Sequence, residues 1–269
     1  MQGSLGEKLG EGNTADIHAW APGQIVKLFR SSDLRRFGQH EARATRVAFA
    51  NGVPAPQVFD EVMPDGRFGI VLARLEGPTL AQQLLAGALT REEVGKILAG
   101  LYHAVHAIEP PPIVASLRSW MASAARSGGL AEHIATGVLT LIDRLPPGDG
   151  LCHGDLHPGN VIMTADGPKI IDWACALRAP GIFDIARAHI TLTEIVAEDL
   201  DPVLPARINN SVQAEYARLT GVLPAELTAA MQPYLPILRA FVIYQQRPMT
   251  PAQKDALIQR IADALPPDT

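Results

Sequence analysis

The pattern of apolar positions changes near residue 80. Before that point, short runs of alternating apolar residues are separated by turns that contain glycine or proline, which predicts β-strands. Residues 4–30 contain three of these runs, two of them at 16–20 and 24–29, and two more lie at 57–62 and 67–74. One stretch, 34–50, has helical spacing instead, with Phe37, Ala44 and Val47 on one face. The N-terminal part therefore predicts a small sheet of five strands with one helix.

Beyond residue 80 the apolar positions recur at helical spacing. Thr90 followed by Glu93 is a capping-box pattern, and its helix continues to about residue 108. Further helices are predicted at 116–127, 130–144, 188–197, 202–220, 224–244 and 251–265. We predict an N-terminal lobe of residues 1–74, a C-terminal lobe of residues 75–269 and a hinge at about 74–80. An ordinary strand-to-helix loop is the alternative for that hinge.

The most informative stretch follows the first predicted helices of the C-terminal part. Residues 151–160 read Leu-Cys-His-Gly-Asp-Leu-His-Pro-Gly-Asn, and an apolar run, a turn and a second apolar run then lead to Asp172. Two short strands of this kind place Asp155, Asn160 and Asp172 around one small volume. Phosphoryl transfer needs a group that orients the attacking hydroxyl and oxygen ligands for magnesium. The stretch therefore favours magnesium-dependent phosphate chemistry.

Composition narrows the class of protein further. The chain has 269 residues, of which 47% are hydrophobic and 19% charged, so it can bury a sizeable core. A net charge of −5 argues against nucleic acid as the main partner and suits a cationic substrate. Two cysteines do not make a disulfide framework, and neither a signal peptide nor a membrane-length apolar run is visible. We therefore expect a cytoplasmic protein that does not bind membranes.

The N-terminal sheet carries candidate nucleotide-binding residues. Gly10 and Gly12 lie between two predicted strands, where glycines let backbone amides approach phosphate, although a plain hairpin is the alternative. Lys27 lies in an apolar strand and is either an exposed edge lysine or a phosphate-binding lysine. Glu41, in the following helix, is either a surface glutamate or the carboxylate that holds Lys27.

The segments 153–160, His-Gly-Asp-Leu-His-Pro-Gly-Asn, and 170–173, Ile-Ile-Asp-Trp, carry a family resemblance. They fit the pattern H-x-D-x4-N followed by a metal-binding aspartate 17 residues after Asp155. The chain resembles the aminoglycoside phosphotransferase and choline kinase-like family over roughly residues 5–195. The resemblance implies an α+β, bilobal protein-kinase-like fold, with a small antiparallel-sheet N-lobe that has one helix and a larger, mainly helical C-lobe.

The resemblance also implies a role for each site residue. Asp155 accepts or orients the proton of the attacking hydroxyl, and ATP and Mg2+ are the expected cofactors. The remaining residues are the cofactor-binding Gly10, Gly12, Lys27 and Glu41, the metal ligands Asn160 and Asp172, and the supporting residues His153 and Asp184.

The function expected from this resemblance is an ATP-dependent O-phosphotransferase acting on a small-molecule hydroxyl. Aminoglycosides, choline, ethanolamine, homoserine and sugar-like alcohols are the candidate acceptors, and the protein is expected to be a monomer or homodimer. Gly154 stands where a protein kinase has arginine, and the 11 residues 173–183 leave no room for a long activation segment. A catalytically silent nucleotide-binding module, a protein kinase and a metal-dependent phosphoesterase built on His153, Asp155 and His157 are the alternatives.

Several other polar residues have two interpretations each. His157 faces the substrate or shapes its turn, and the turn is favoured. His103 and His106 bind metal or pack in the fold, and packing is favoured. Small buried residues are favoured over a redox switch for the two cysteines, Cys152 and Cys175. A solvated acidic loop is favoured over an amine-binding site for the cluster of Glu194, Glu198, Asp199 and Asp201.

Overall fold

A computed structural model describes residues 4–12, 14–127, 130–146, 148–195, 203–245 and 249–265. The chain divides into two compact units. The first unit contains Met1–Ala86 together with His157–Ala176, and the second unit contains Gly87–Leu156 together with Leu177–Thr269. The division into lobes 1–74 and 75–269 remains a prediction.

The elements largely follow the predicted order. Strands β1 to β9 span Lys8–Glu11, Ala15–Ala21, Gln24–Phe29, Val58–Val62, Gly69–Ala73, Gly150–Cys152, Val161–Thr164, Gly167–Ile170 and Leu177–Ala179. Helices α1 to α10 span Arg35–Ala50, Leu80–Leu85, Arg91–His106, Leu117–Ser127, Glu132–Arg144, Ile182–Thr193, Val203–Thr220, Pro224–Met231, Leu235–Tyr244 and Pro251–Ala262.

The first unit is built on a five-stranded antiparallel sheet with the order β1-β2-β3-β5-β4. Helix α1 follows the central strand β3 and packs on the sheet, so the predicted sheet with one helix is confirmed. Apolar side chains from the helix and from β2, β3 and β5 form the core between them. This core includes Ala15, Phe29, Ala42, Phe68, Ile70 and Leu72.

A second hairpin, β7-β8, also belongs to the first unit. The backbone N–H of Met163 donates to the Pro78 carbonyl at 2.9 Å, and the N–H of Ile170 donates to the Pro54 carbonyl at 2.6 Å. The segment that carries Asn160 and Asp172 is therefore anchored to the same unit as Lys27 and Glu41.

The second unit is mainly helical and contains one short antiparallel strand pair, β6-β9. The predicted capping box is present, because Thr90 and Glu93 exchange side-chain and backbone hydrogen bonds at the start of α3. The predicted helix over 224–244 is instead two helices, α8 and α9, joined by a 3-10 turn at Gln232–Tyr234. Pro233 and Pro236 lack the N–H that a continuous helix needs there.

Helix α6 also differs from its prediction, since it begins at Ile182 and not at residue 188. The earlier start places Asp184 in the first turn of the helix. None of the described helices combines the length and the apolar character needed to span a membrane.

Candidate active site

Lys27 lies on β3 and is the centre of the charged groups in the first unit. Its Nζ donates to Glu41 Oε1 on α1 at 2.7 Å and to Asp172 Oδ1 at 2.9 Å. Only 11% of the lysine side chain is exposed, and its contact with Glu41 is buried, whereas the contact with Asp172 is only partly buried. Burial alone would lower the pKa of Lys27, but the two carboxylates raise it above its usual value. Lys27 is therefore charged at neutral pH and held in one place.

Glu41 is the more deeply buried partner. Its side chain is 3% exposed, and its Oε2 atom has no hydrogen-bond partner among the described residues. Burial raises the pKa of Glu41 to about 7, although the attraction of Lys27 opposes that change. Glu41 is thus not a surface glutamate, and Lys27 is not an exposed edge lysine.

Asp172 has an unusual backbone conformation. Its φ of 64° and ψ of 62° lie in the left-handed region, which non-glycine residues rarely adopt. The N–H of the preceding Ile171 donates to the Asn160 carbonyl at 2.9 Å, which joins the segments that carry the two predicted metal ligands. Strained backbone of this kind is concentrated at functional sites.

The oxygen donors of this region fit magnesium. Asn160 and Asp172 offer an amide and a carboxylate oxygen from adjoining segments, and Mg2+ prefers hard oxygen ligands with water and phosphate in its other positions. The Asp172 side chain is 46% exposed and can meet an ion in solution. Two carboxylates, from Glu41 and Asp172, surround the single ammonium of Lys27, and the net negative charge also favours a cation.

Gly10 lies in β1 and Gly12 directly follows that strand, while Asn13 lies outside the described residues. A Cβ atom added to Gly10 would meet nothing within 4 Å, and one added to Gly12 would meet only the Ala15 carbonyl, at 3.8 Å. Packing therefore does not require either glycine, and their phosphate-binding role remains a prediction.

In the second unit, Asp184 braces the loop that carries Asp155. The Asp184 carboxylate accepts the backbone N–H groups of His153 and Gly154, both at 2.8 Å, and its side chain is 1% exposed. Gly154 has a φ of 76°, which glycine adopts without strain. The N–H of Asp155 donates to His153 Nδ1 at 3.2 Å. The loop conformation is thus fixed by groups on both sides of it.

A buried polar cluster continues from Asp184. His106 contacts Asp184 Oδ2 through Nε2 at 3.1 Å and the Tyr216 hydroxyl through Nδ1 at 2.8 Å, while His103 is exposed. Ligand atoms of His106, Cys152 and Asp184 lie within 4.8 Å of one another. Burial and the nearby Asp184 raise the pKa of the Cys152 thiol, so it stays protonated and is a poor metal ligand. We interpret the cluster as a packed hydrogen-bonded core, while Cys175 is partly exposed.

Arg187 on α6 is a site residue that the sequence did not reveal. Its Nη2 donates to Asp155 Oδ1 at 3.1 Å, and its side chain is only 3% exposed. In the sequence this arginine directly precedes the predicted helix 188–197, where it looks like a surface residue. The sequence gives no sign that its partner lies 32 positions earlier.

The other ambiguous polar residues have defined contacts. His157 Nδ1 accepts the N–H of Gly159 at 3.1 Å, which is the contact expected of a turn-shaping residue. Glu194 forms two 2.8 Å hydrogen bonds with Arg239 and an ion pair with Arg260 at 3.0 Å. Glu194 is therefore neutralised and does not belong to a solvated acidic loop. The other members of the predicted acidic cluster, Glu198, Asp199 and Asp201, lie outside the described residues.

The structure thus groups the predicted residues by unit. Lys27, Glu41, Asn160 and Asp172 belong to the first unit, together with Gly10 and Gly12. The second unit contains His153, Asp155 and Asp184.

A model of the phosphotransferase enzyme family (APH) matches residues 13–222, well over half of the chain. The chain belongs to this family. No match was found among curated protein sequences.

Solved structures place this family member among kinase-like folds. An aminoglycoside-3'-phosphotransferase of type VIII shares 23% identity, with 90% of this chain and 94% of that chain covered and a TM-score of 0.60. The streptomycin–ATP ternary complex of APH(2'')-IIa shares 14%, with coverages of 97% and 92% and a TM-score of 0.59. A choline/ethanolamine kinase family protein from Mesorhizobium loti shares 15%, with coverages of 97% and 88% and a TM-score of 0.59. These similarities confirm the predicted fold class.

Proposed function

We propose that the protein transfers the γ-phosphoryl group of ATP to a hydroxyl of a small molecule. The observation that carries the proposal is the position of Lys27, buried between Glu41 and Asp172. A lysine held in this way is a fixed cation for nucleotide phosphates, whereas a flexible surface lysine is not. Membership of the phosphotransferase enzyme family supports the same reaction class.

The chemistry follows from the predicted roles. Asp155 accepts a hydrogen bond from the acceptor hydroxyl and orients its oxygen toward the γ-phosphorus. A new P–O bond forms there, the bond to the β–γ bridging oxygen breaks, ADP leaves and the hydroxyl proton passes through Asp155 to solvent. Asn160 and Asp172 would hold magnesium, which would supply positive charge at the phosphate oxygens. Lys27 contributes positive charge at the same phosphates.

The acceptor and the nucleotide base are the finer parts of the proposal. The similar structures include ADP, ATP and GDP complexes as well as gentamicin, kanamycin and streptomycin complexes. We propose ATP as the donor and an amino alcohol, aminoglycoside or sugar as the acceptor. Glu194 is excluded from amine recognition, because Arg239 and Arg260 already neutralise it.

The test is a nucleotide-consumption screen on the purified protein with magnesium and either ATP or GTP. The acceptor panel contains aminoglycosides, choline, ethanolamine, homoserine and simple sugars, and mass spectrometry identifies any phosphorylated product. We expect turnover with at least one acceptor and a loss of about 10²- to 10⁴-fold in Asp155→Asn. Full activity in that variant would show that Asp155 is not the group that orients the hydroxyl.

The same screen separates the alternatives. Nucleotide binding that does not depend on magnesium, without turnover of any acceptor, would identify a silent binding module. Transfer of labelled phosphate to generic protein substrates would identify a protein kinase. Hydrolysis of phosphate esters with two tightly bound transition metals would identify a phosphoesterase.

A further inference from the structure

One face of helix α6 contacts three successive residues of the loop that carries Asp155. Asp184 accepts the backbone N–H groups of His153 and Gly154, and Arg187 contacts the Asp155 carboxylate. Asp184 and Arg187 are three positions apart, so they lie on the same face of the helix. The helix therefore holds both the backbone of this loop and its functional side chain.

The Arg187 guanidinium is itself fixed by two further contacts in the second unit. Its Nη2 donates to Gln245 Oε1 at 3.0 Å, and its central carbon lies 5.0 Å from the centroid of the Phe241 ring. Its Nε and Nη1 atoms are buried and have no hydrogen-bond partner among the described residues. Neither Gln245 nor Phe241 supplies the negative charge that a buried cation requires.

That charge comes from Asp155. A buried ion without a counterion is costly, and removing one partner of a buried pair is strongly destabilising. Asp155 is the carboxylate with which Arg187 forms an ion pair in the described part of the chain. Protonation of Asp155 would leave the guanidinium buried and uncompensated, so the pair favours the ionised carboxylate.

Other titratable groups interact with Asp155 or with Asp184. Burial raises the pKa of Tyr102 on α3 well above its ordinary value, and Asp184 and Asp155 raise it further. Burial likewise keeps the Cys152 thiol protonated. His153, whose Nδ1 accepts the Asp155 N–H, lies on the same loop, and Asp184 adds a second negative charge from α6. Arg187 is the cation that forms an ion pair with Asp155.

We propose that Arg187 is a positioning residue that keeps Asp155 ionised and aimed for the acceptor hydroxyl. Asp155 then acts mainly as an oriented hydrogen-bond acceptor, and it takes the proton only as the phosphoryl group moves. The kinetic consequence rests on the proposed function, whereas the ion pair and its energetic coupling do not.

The kinetic test compares Arg187→Gln, Arg187→Lys and the control Arg239→Gln. In Arg187→Gln we expect kcat to fall about 10- to 100-fold, with little change in the KM for nucleotide. The acidic limb of its pH–rate profile should move up by about one unit or more, because the cation no longer favours the ionised carboxylate. In Arg187→Lys the limb should stay near the wild-type position with a reduced kcat, since one ammonium cannot reproduce the guanidinium fork.

Arg239 is a matched control, since it is an arginine of the second unit with a 12% exposed side chain that pairs with the carboxylate of Glu194. Arg239→Gln should lower the melting temperature and leave the acidic limb unmoved. An unmoved acidic limb in Arg187→Gln would overturn the proposal, because a purely structural arginine would produce that result.

A second measurement needs no turnover and therefore decides the matter even if the proposed function fails. The melting temperatures of Asp155→Asn, Arg187→Gln and the double variant complete a thermodynamic cycle. Each single change should lower Tm, on the order of 5–10 °C, because Asp155→Asn removes the counterion of the buried guanidinium and Arg187→Gln removes the cation beside the Asp155 carboxylate. The Tm of the double variant should be lowered by less than the sum of the two single losses, because it contains neither charge. Additive losses would show that the two side chains are not coupled, and the proposal would fall.

Discussion

The ionisation of Glu41 changes with pH near neutrality, which is unusual for a glutamate. It lies buried against Lys27, with one carboxylate oxygen unpartnered in the described structure. Burial raises its pKa to about 7 from an ordinary value of 4.5, against the opposing attraction of Lys27. The folded protein therefore binds this proton more tightly than the unfolded chain does between these two values.

The free energy of unfolding should consequently depend on pH through Glu41. Relative to Glu41→Gln, the wild-type protein should lose stability as the pH rises from about 4.5 to 7, by on the order of 1–3 kcal/mol, and then level off. Lys27 stays protonated in both the folded and the unfolded protein between pH 4.5 and 7, because its pKa is raised from an ordinary value of 10.5. Its contribution to the free energy of unfolding therefore does not change with pH in this range. Urea unfolding at a series of pH values would measure the difference. Parallel curves for the two proteins would contradict the prediction.

Glu194 provides a control, because its pKa is shifted in the opposite direction to that of Glu41. Burial opposes its ionisation, but the Arg239 hydrogen bonds and the nearby Arg260 outweigh burial and lower its pKa. A depressed carboxyl pKa stabilises the fold above the ordinary value of 4.5, and this contribution is lost as the pH falls below it. The stability advantage of the wild-type protein over Glu194→Gln should therefore shrink on acidification, whereas its advantage over Glu41→Gln should grow as the pH falls from 7.

Some of these residue contacts were predictable and others were not. A lysine in a strand and a glutamate in the next helix, 14 positions apart, are close enough along the chain for their pairing to be inferred. The contact between Lys27 and Asp172 spans 145 positions and depends on the hairpin that returns to the first unit. Arg187 looks like a surface residue in the sequence because its burial depends on how α6 and α9 pack.

At the scale of elements, the alternating pattern predicted β1 to β5, and helical spacing predicted α1 and α3. The short elements were missed for a physical reason. Strands β6 and β9 have three residues each and α2 has six, too few to show a period. Their formation depends on partners elsewhere in the chain, as in the pairing of Gly150 with Ala179.

The segment before α2 packs closely against strand β7. Gly77 has a φ of 144°, and a Cβ atom added there would lie 2.0 Å from the Met163 carbonyl oxygen on β7. Gly77→Ala should therefore strain the backbone and displace β7, with a loss of about 2 kcal/mol or more in the free energy of unfolding. Chemical denaturation would measure this loss.

Gly100 offers the matched control for this substitution. It lies in the interior of α3, and an added Cβ would meet nothing within 4 Å. Gly100→Ala should stabilise the protein by about 0.5–1 kcal/mol, because alanine loses less backbone entropy in a helix. An equal effect of the two substitutions would show that the close approach at Gly77 does not constrain the fold.

At the scale of the whole molecule, the candidate groups divide between two units that interleave along the chain. The first unit includes residues 157–176 from the middle of the sequence. No local sequence pattern indicates this grouping, because it results from long-range contacts. Lys27, Asn160 and Asp172 thus share a unit, and Asp155 belongs to the other unit although only four residues separate it from Asn160. This division predicts that nucleotide binding and chemistry can be separated by substitution.

Two substitutions of an aspartate by asparagine test that separation. Asp155→Asn should keep the thermal stabilisation by magnesium and ATP while losing turnover, because the residues of the first unit that we propose to bind phosphate and metal are intact. Asp172→Asn should lose most of both, since it removes a proposed metal ligand and one of the two carboxylates that hold Lys27. The shift in Tm between ligand-free and ligand-saturated protein is the measurement, because it cancels any effect of each substitution on the free protein.

Asp166→Asn, in the exposed turn between β7 and β8, is the control and should keep both properties. An Asp172→Asn variant with the full magnesium-dependent shift would rule out Asp172 as a metal ligand, and loss of that shift in Asp155→Asn would show that binding and chemistry are not separable.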